Sequence, residues 1–234
     1  MKPLAARVAG IVRAPRVTVA ELCGAPNPPW LDVLGVSTLV TFATLAVLLE
    51  TTVGQTALLD QWERTVTAFG RPMNDALYAR LQELSSHGVL YSAGVAILTG
   101  PVLAIAMTAL IVVMLRTTGQ RQVRVSTVLS LVSHASVLLA LKQLIATPVN
   151  YLSETLTSPT TLVQLMAGLD ETSPLARFLG VIDVFVIWWA VVLAIGVAFM
   201  AHRRVRPLAL TFTGVYLAIA LLLAFVMALT GGTA

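Results

Sequence analysis

The sequence predicts an all-α membrane protein, a bundle of five transmembrane helices with amphipathic helices on its outer side. Of its 234 residues, 57% are hydrophobic and 11% are charged, whereas soluble domains carry about 25% charged residues. The mean hydropathy is +0.87. Five apolar segments are long enough to cross a bilayer, and the connections between them alternate in basic content.

Each predicted span satisfies the length requirement of a bilayer. A membrane helix needs about 20 mostly apolar residues, because each residue adds about 1.5 Å along its axis. Five segments meet this requirement, at residues 31–50, 89–115, 125–146, 178–200 and 208–230.

The hydrophilic connections predict the orientation. Basic residues are concentrated in the arm 1–30 and in the connections 116–124 and 203–206, which are therefore predicted to be cytoplasmic. The connections 51–88 and 147–177 hold more acidic than basic residues and are predicted to face outward. Five spans then place the N-terminus in the cytoplasm and the C-terminus outside.

The predicted domain organisation is a basic cytoplasmic arm, 1–30, followed by a membrane domain, 31–234. In the arm, Thr18 and Glu21 have the spacing of a capping box, which predicts a short helix beginning there. The arm combines basic and apolar residues, a composition suited to an anionic membrane surface. The alternative is a partly ordered arm without a partner.

The first outer connection is predicted to form a cap. Apolar residues recur with helical spacing over 55–88, in two halves that Gly70 and Pro72 separate. This pattern predicts two amphipathic helices. Further along the chain, Ser173 and Pro174 have the pattern of an N-cap and first helical position for the fourth span.

Two opposite charges fall within predicted spans. Asp183 lies about five residues, roughly 8 Å, inside the outer end of the fourth span, and Lys142 lies at a similar depth in the third span. An unpaired charge in a membrane is costly, so an ion pair between them is the leading interpretation. The alternatives are a lysine that reaches the membrane surface and a proton or ion relay.

A polar stripe is predicted on the third span. At about 100° per residue, the side chains of Ser126, Ser130, Ser133 and His134 fall within one arc of the helix. Such a stripe must face protein or water. Hydrogen bonding between helices and a substrate pathway are both compatible with it.

Pro101, next to Gly100 in the middle of the second span, predicts a helix kink, because proline has no backbone donor. Kinks occur in inert bundles and in transporters. In the fourth span, Trp188 and Trp189 lie near the midplane, where packing against a neighbouring helix is the default and a lipid or ligand groove is the alternative.

Motifs of soluble enzymes are missing from the sequence. It has no Gly-rich phosphate loop, no HExxH, no GxSxG and no metal-binding Cys/His spacing, and its one cysteine, Cys23, excludes an internal disulfide. The three histidines fall on different sides of the predicted membrane. No enzymatic activity, metal or cofactor is therefore predicted, and the charge distribution reports orientation and not nucleic-acid binding.

The segment from Ile182 to Gly196, IDVFVIWWAVVLAIG, resembles the motif of bacterial members of the Yip-one domain family, the Ypt/Rab-interacting type of five-span membrane protein. The motif positions are Asp183, Phe185, Trp188 and Gly196. The segments GPVLAIAMTAL and VLSLVSHASVLLALKQLIATPVNY follow the order of the family, so the resemblance covers roughly residues 85–230.

The resemblance implies a location, the bacterial plasma (inner) membrane, and a multi-pass topology, but no biochemical activity. The aspartate-leucine-tyrosine-glycine-proline stretch that is typical of eukaryotic relatives is missing, so their trafficking role is not implied. We expect a non-enzymatic membrane scaffold or interaction protein whose partners are membrane lipids and membrane proteins or a second copy. The alternative is a small transporter, channel or lipid translocase that uses the polar stripe.

Overall fold

The computed structural model of the chain describes residues 3–120, 122–166 and 173–230. Every regular element in this part of the chain is helical, and its one β-type pairing is an isolated bridge between Thr161 and Asp183. The elements are α1 (Leu4–Arg13), α2 (Pro15–Gly24), α3 (Leu31–Leu49), α4 (Thr52–Ala68), α5 (Asp75–Ser85), α6 (Gly88–Ile97), a π-helical turn (Leu98–Val102), α7 (Leu103–Thr117), α8 (Val125–Ala135), α9 (Val137–Ser153), α10 (Leu162–Leu165), α11 (Pro174–Val181), α12 (Val184–Met200) and α13 (Val205–Thr230).

Four helical stretches are long and apolar enough to cross a membrane, at Leu31–Leu49, Gly88–Thr117, Val125–Ser153 and Val205–Val226. The predicted fourth span, 178–200, is not one helix: α11 ends at Val181 and α12, with 17 residues, begins at Val184. The described residues therefore confirm the all-α class and four helices of spanning length. They do not confirm the predicted bundle of five spans. Arg121 and the C-terminal residues 231–234, which entered the predicted orientation, lie outside the described residues.

The chain forms two compact units whose boundaries fall within helices. The first unit comprises Met1–Thr41, Val95–Leu141 and Phe185–Val215, and the second comprises Phe42–Gly94, Lys142–Val184 and Tyr216–Ala234. Each unit has its own buried polar groups.

The N-terminal arm is a packed part of the first unit. Its helices α1 and α2 both contact α8, and Ile11 and Val19 are completely buried. Helix α2 begins at Pro15, so Thr18 lies inside the helix, where its hydroxyl donates to the carbonyl of Ala14 at 3.2 Å. The predicted helix start at Thr18 is wrong, because Pro15 provides an earlier first helical position with a pre-set φ angle.

Helices α7, α8 and α12 form most of the core of the first unit. Its side chains are mainly branched aliphatic residues, including Ile111, Leu131, Leu138, Val192 and Leu193, all with at most 1% exposure. Helix α12 approaches α8 closely because Gly196 has no side chain: an added Cβ would overlap the side chain of Leu131.

The second apolar stretch of the chain, Gly88–Thr117, contains the π-helical turn around Pro101. Proline cannot donate to the preceding turn, and a locally widened turn accommodates the missing bond. Gly100 lets this turn approach α3, because a Cβ there would collide with the Thr38 hydroxyl. The irregularity predicted at Pro101 is thus a π-turn within an otherwise continuous helix.

Helices α7 and α12 end in the same way. Each closes with a Schellman motif, in which the last residues bond back to carbonyls of the final turn. In α7, Gly119 has φ 99° and Gln120 N–H donates to the Leu115 carbonyl at 3.0 Å. In α12, His202 has φ 52° and Arg203 N–H donates to the Ala198 carbonyl at 2.9 Å.

In the second unit, α4 and α5 occupy most of the predicted cap segment, 55–88. Thr51 and Asn74 cap them by accepting from the N–H groups of Gly54 and Leu77, and Gly70, with φ 71°, follows α4. Ser173 caps α11, as predicted, by accepting from Ala176 N–H at 3.1 Å.

Gly196→Ala tests the close packing of α8 and α12. The new methyl group would meet the buried Leu131, so we expect the free energy of unfolding to fall by about 1–3 kcal/mol, measured by thermal or denaturant unfolding in detergent. Gly94→Ala, on an exposed face of α6 with open space around it, is the matched control and should be neutral or stabilising by up to about 1 kcal/mol. Equal effects of the two substitutions would contradict the packing described.

Candidate functional site

The second unit contains an ion pair at the break between α11 and α12. The Lys142 Nζ atom lies 2.7 Å from Asp183 Oδ2, and the side chains are 25% and 4% exposed, respectively. The structure thus brings the two oppositely charged residues together. Two hydroxyls that the sequence analysis missed donate to the same carboxylate oxygen, from Ser158 at 2.9 Å and from Thr160 at 2.7 Å.

The backbone at the break is also paired. Ile182 adopts an extended conformation, and its carbonyl accepts from Leu162 N–H at 2.8 Å. The Tyr216 hydroxyl accepts from Asp183 N–H at 2.9 Å and donates to the Val181 carbonyl at 2.6 Å. A single side chain of α13 therefore replaces bonds that a continuous helix would make.

A second polar cluster lies in the first unit, around Arg7 of α1. Arg7 is 6% exposed, and its Nη2 donates to Asp32 Oδ2 at 2.6 Å. Its Nη1 lies 3.3 Å from His134 Nε2, and His134 is completely buried. We name these three residues and Ser130 the arginine cluster.

The hydrogen bonds of the arginine cluster fix the tautomer of His134. A backbone carbonyl can only accept, so Nδ1, 2.8 Å from the Ser130 carbonyl, carries the proton. A guanidinium can only donate, so Nε2 accepts from Arg7. His134 is therefore neutral with both ring nitrogens engaged, while the Ser130 hydroxyl donates to the Pro29 carbonyl at 2.7 Å.

The predicted polar stripe is only partly a buried cluster. Ser130, Ser133 and His134 are buried, but Ser126, near the start of α8, is exposed. Within the described part of the chain, the Ser133 hydroxyl and Arg7 Nε have no hydrogen-bond partner. Sequence reasoning missed Arg7 and Asp32 as partners of this stripe. The available signals were an acid in the first turn of an apolar helix and an arginine among apolar residues of α1.

The motif residues fall in both units and make different contacts. Asp183 belongs to the second unit, while Phe185, Trp188 and Gly196 belong to the first. The rings of Phe185 and Trp188 lie 5.9 Å apart at 40°, and Gly196 serves helix packing. Trp189 is 9% exposed, and its indole N–H has no partner in the described residues.

Among the described residues, no three His, Cys, Asp or Glu side chains form a group that could hold a metal ion.

No family model, curated protein or solved structure matches this chain. The resemblance to the Yip-one domain family therefore stays a prediction from the sequence motif.

Removing Lys142 tests the energetic role of the ion pair. Lys142→Met leaves the Asp183 carboxylate buried without its counter-ion, and we expect a loss of about 3–5 kcal/mol in unfolding free energy. Asp183→Asn should cost less, because Lys142 is 25% exposed and can reach solvent. The double variant Lys142→Met with Asp183→Asn should recover much of the loss, as measured in a double-mutant cycle. Strictly additive effects would mean that the two residues are not energetically coupled.

A second pair of substitutions tests the arginine cluster. Asp32→Asn leaves the buried guanidinium of Arg7 without a charged partner, and we expect it to lower the unfolding free energy by about 1–3 kcal/mol. Arg7→Met leaves Nε2 of the completely buried His134 without its donor, whereas water can solvate the Asp32 side chain, which is 43% exposed, so we expect a loss of the same order. Thermal unfolding of both variants in the same detergent measures the two losses, and an unchanged midpoint in either variant would contradict this account.

Proposed function

We propose that the chain is a non-enzymatic integral membrane scaffold of the Yip type in the bacterial plasma membrane. Its partners would be membrane lipids and other membrane proteins or a second copy of the chain. The observation that carries this proposal is that the buried charges of Arg7 and Asp183 are each paired within the protein, with Asp32 and with Lys142. Charges that neutralise each other can be accommodated inside a fold and leave little reactivity for chemistry on a substrate.

The state of His134 supports a structural role for the polar stripe. A general base needs a free nitrogen within reach of a substrate proton. Both ring nitrogens of His134 bond to protein groups, and the ring is completely buried. These contacts favour hydrogen bonding between helices over a substrate pathway.

We further propose that α12 is the fourth of five spans. With 17 residues it corresponds to about 26 Å, the lower end of what a bilayer requires. A helix break is tolerated at membrane depth only where its backbone groups are bonded within the protein. Tyr216, Thr160 and Leu162 provide such bonds at the break before α12.

A transporter is the second candidate, favoured by the two irregular helices. The π-turn at Pro101 and the break at Ile182 resemble features that transporters use to build binding sites. This candidate predicts that His134→Ala changes solute or lipid flux in reconstituted vesicles while the protein stays folded. The scaffold proposal predicts flux no higher than in empty liposomes.

Single-cysteine labelling tests the five-span topology. Burial raises the pKa of the Cys23 thiol to about 11, so it reacts slowly, and Cys23→Ala removes the remaining background. In that variant, Ser86→Cys and Thr157→Cys should react with an impermeant maleimide in intact cells, and Thr118→Cys and Arg204→Cys only after permeabilisation. These four residues are exposed. Labelling of Arg204→Cys in intact cells would instead indicate four spans.

Purification tests the scaffold role. The tagged protein should retain a defined protein or lipid partner at constant stoichiometry through exchange between two detergents. A membrane protein of similar size and expression level, treated identically, provides the control. A monomer without an enriched partner, together with flux above that of empty liposomes, would contradict the scaffold proposal and favour the transporter.

A further inference from the structure

We infer that a cavity at the ends of three helices of the first unit binds one anionic phospholipid. The cavity has a volume of about 780 Å³ and lies between the last residues of α7, the last residues of α12 and the first turn of α13. This volume is within the range of small-molecule sites, about 300–1,000 Å³. None of its residues belongs to the arginine cluster or to the break at Asp183.

The cavity has an apolar side and a cationic side. Met114, Leu115, Val197 and Leu208 contribute apolar side chains, of which Leu115 and Val197 are buried. Arg203 and Arg204 are exposed at the turn between α12 and α13. Apolar surface beside fixed positive charge matches the chemistry of an anionic phospholipid, whose phosphate adjoins its acyl chains.

The two arginines are available to a ligand. Neither forms an ion pair with a described residue, and the described residues that line the cavity include no acidic one. By contrast, Arg7 and Lys142 each form an ion pair with a carboxylate of the protein. An external anion is therefore the partner that Arg203 and Arg204 lack.

The helix dipoles do not reverse this charge balance. Each helix end carries about half an elementary charge, negative at the C-termini of α7 and α12 and positive at the N-terminus of α13. The Schellman bonds also occupy carbonyls of α7 and α12. Two full positive charges thus exceed the net partial charge of the three ends, and the cavity remains attractive to an anion.

The apolar side favours a lipid over free phosphate or another soluble anion. Inorganic phosphate would contact only the arginines and leave the Met114 and Leu208 side unoccupied, whereas acyl chains would cover it. This inference rests on the proposed membrane location, because a lipid reaches the cavity from a bilayer. The turn that carries Arg203 and Arg204 is on the proposed cytoplasmic side, where anionic headgroups attract basic residues.

Binding of acyl-chain-labelled phosphatidylglycerol to the full-length protein in a neutral detergent tests the inference. We expect one saturable site, phosphatidylcholine binding at least tenfold weaker, and no displacement by millimolar inorganic phosphate. Arg203→Gln with Arg204→Gln should weaken phosphatidylglycerol binding at least tenfold. Arg13→Gln with Arg16→Gln removes two exposed arginines outside the cavity and should change binding less than twofold.

A substitution in the cavity wall provides a test that leaves both arginines in place. Ala201→Phe would fill part of the cavity, and we expect it to weaken lipid binding by a similar factor. Binding is compared only among variants whose thermal midpoints of unfolding are close to that of the wild type. If the double variant unfolds, Arg204→Gln alone replaces it.

Three results would overturn the inference: equal losses for the two arginine pairs, equal binding of phosphatidylcholine, or displacement by phosphate, which would indicate a soluble-anion site. Lipid binding is measured in detergent, so an absence of binding contradicts the lipid site without bearing on the five-span topology. The cysteine labelling tests the topology independently.

Discussion

The buried carboxylate of Asp183 imposes the strongest local constraint on the second unit. Asp183 is 3% exposed and accepts from Lys142, Ser158 and Thr160 on one oxygen. A buried charge without such donors would destabilise the protein by several kcal/mol. The segment 158–162 therefore has to run beside the start of α12, and the isolated bridge between Thr161 and Asp183 follows from this placement.

The same constraint explains why the helix breaks there. A continuous helix through Ile182 would give each backbone group an internal partner but would not bring the 158–162 segment into register with Asp183. The Ile182 carbonyl accepts from Leu162 N–H, and Val184 N–H donates to the Thr160 carbonyl. The Tyr216 hydroxyl accepts from Asp183 N–H and donates to the Val181 carbonyl. These hydrogen bonds pair backbone groups that the interruption of the helix frees, which is why the break can persist inside an apolar protein.

The sequence predicted the apolar elements well and their polar partners poorly, for a physical reason. Length and hydropathy are properties of one segment, so α3, the apolar stretch Gly88–Thr117 and α13 could be located within a few residues. Lys142 and Asp183 could be paired because charge in an apolar span demands a counter-ion. The partners of Ser158 and Tyr216 could not be predicted in this way, because a hydroxyl is tolerated in many environments and does not require a charged partner.

Arg7 illustrates a different limit of sequence reasoning. As one of several basic residues in the arm it was predicted to contribute to orientation, yet it is buried against His134 and Asp32. The positive-inside rule counts arginines without distinguishing those that face water from those that face protein. The helical periodicity of α1 could have predicted the burial of Arg7, because Arg7 and Ile11 are four residues apart and share the buried face of the helix.

The division of arginines into paired and unpaired ones connects structure to function. Arg7 is neutralised inside the protein, and substituting it would change stability before anything else. Arg203 and Arg204 lie at a turn where His202 adopts a left-handed conformation that glycine usually occupies, and they contribute little to the core. Exposed arginines that form no ion pair with a described residue are available to bind an external anion. The chemistry of that partner follows from what surrounds them: positive charge on one side of the cavity and aliphatic surface on the other.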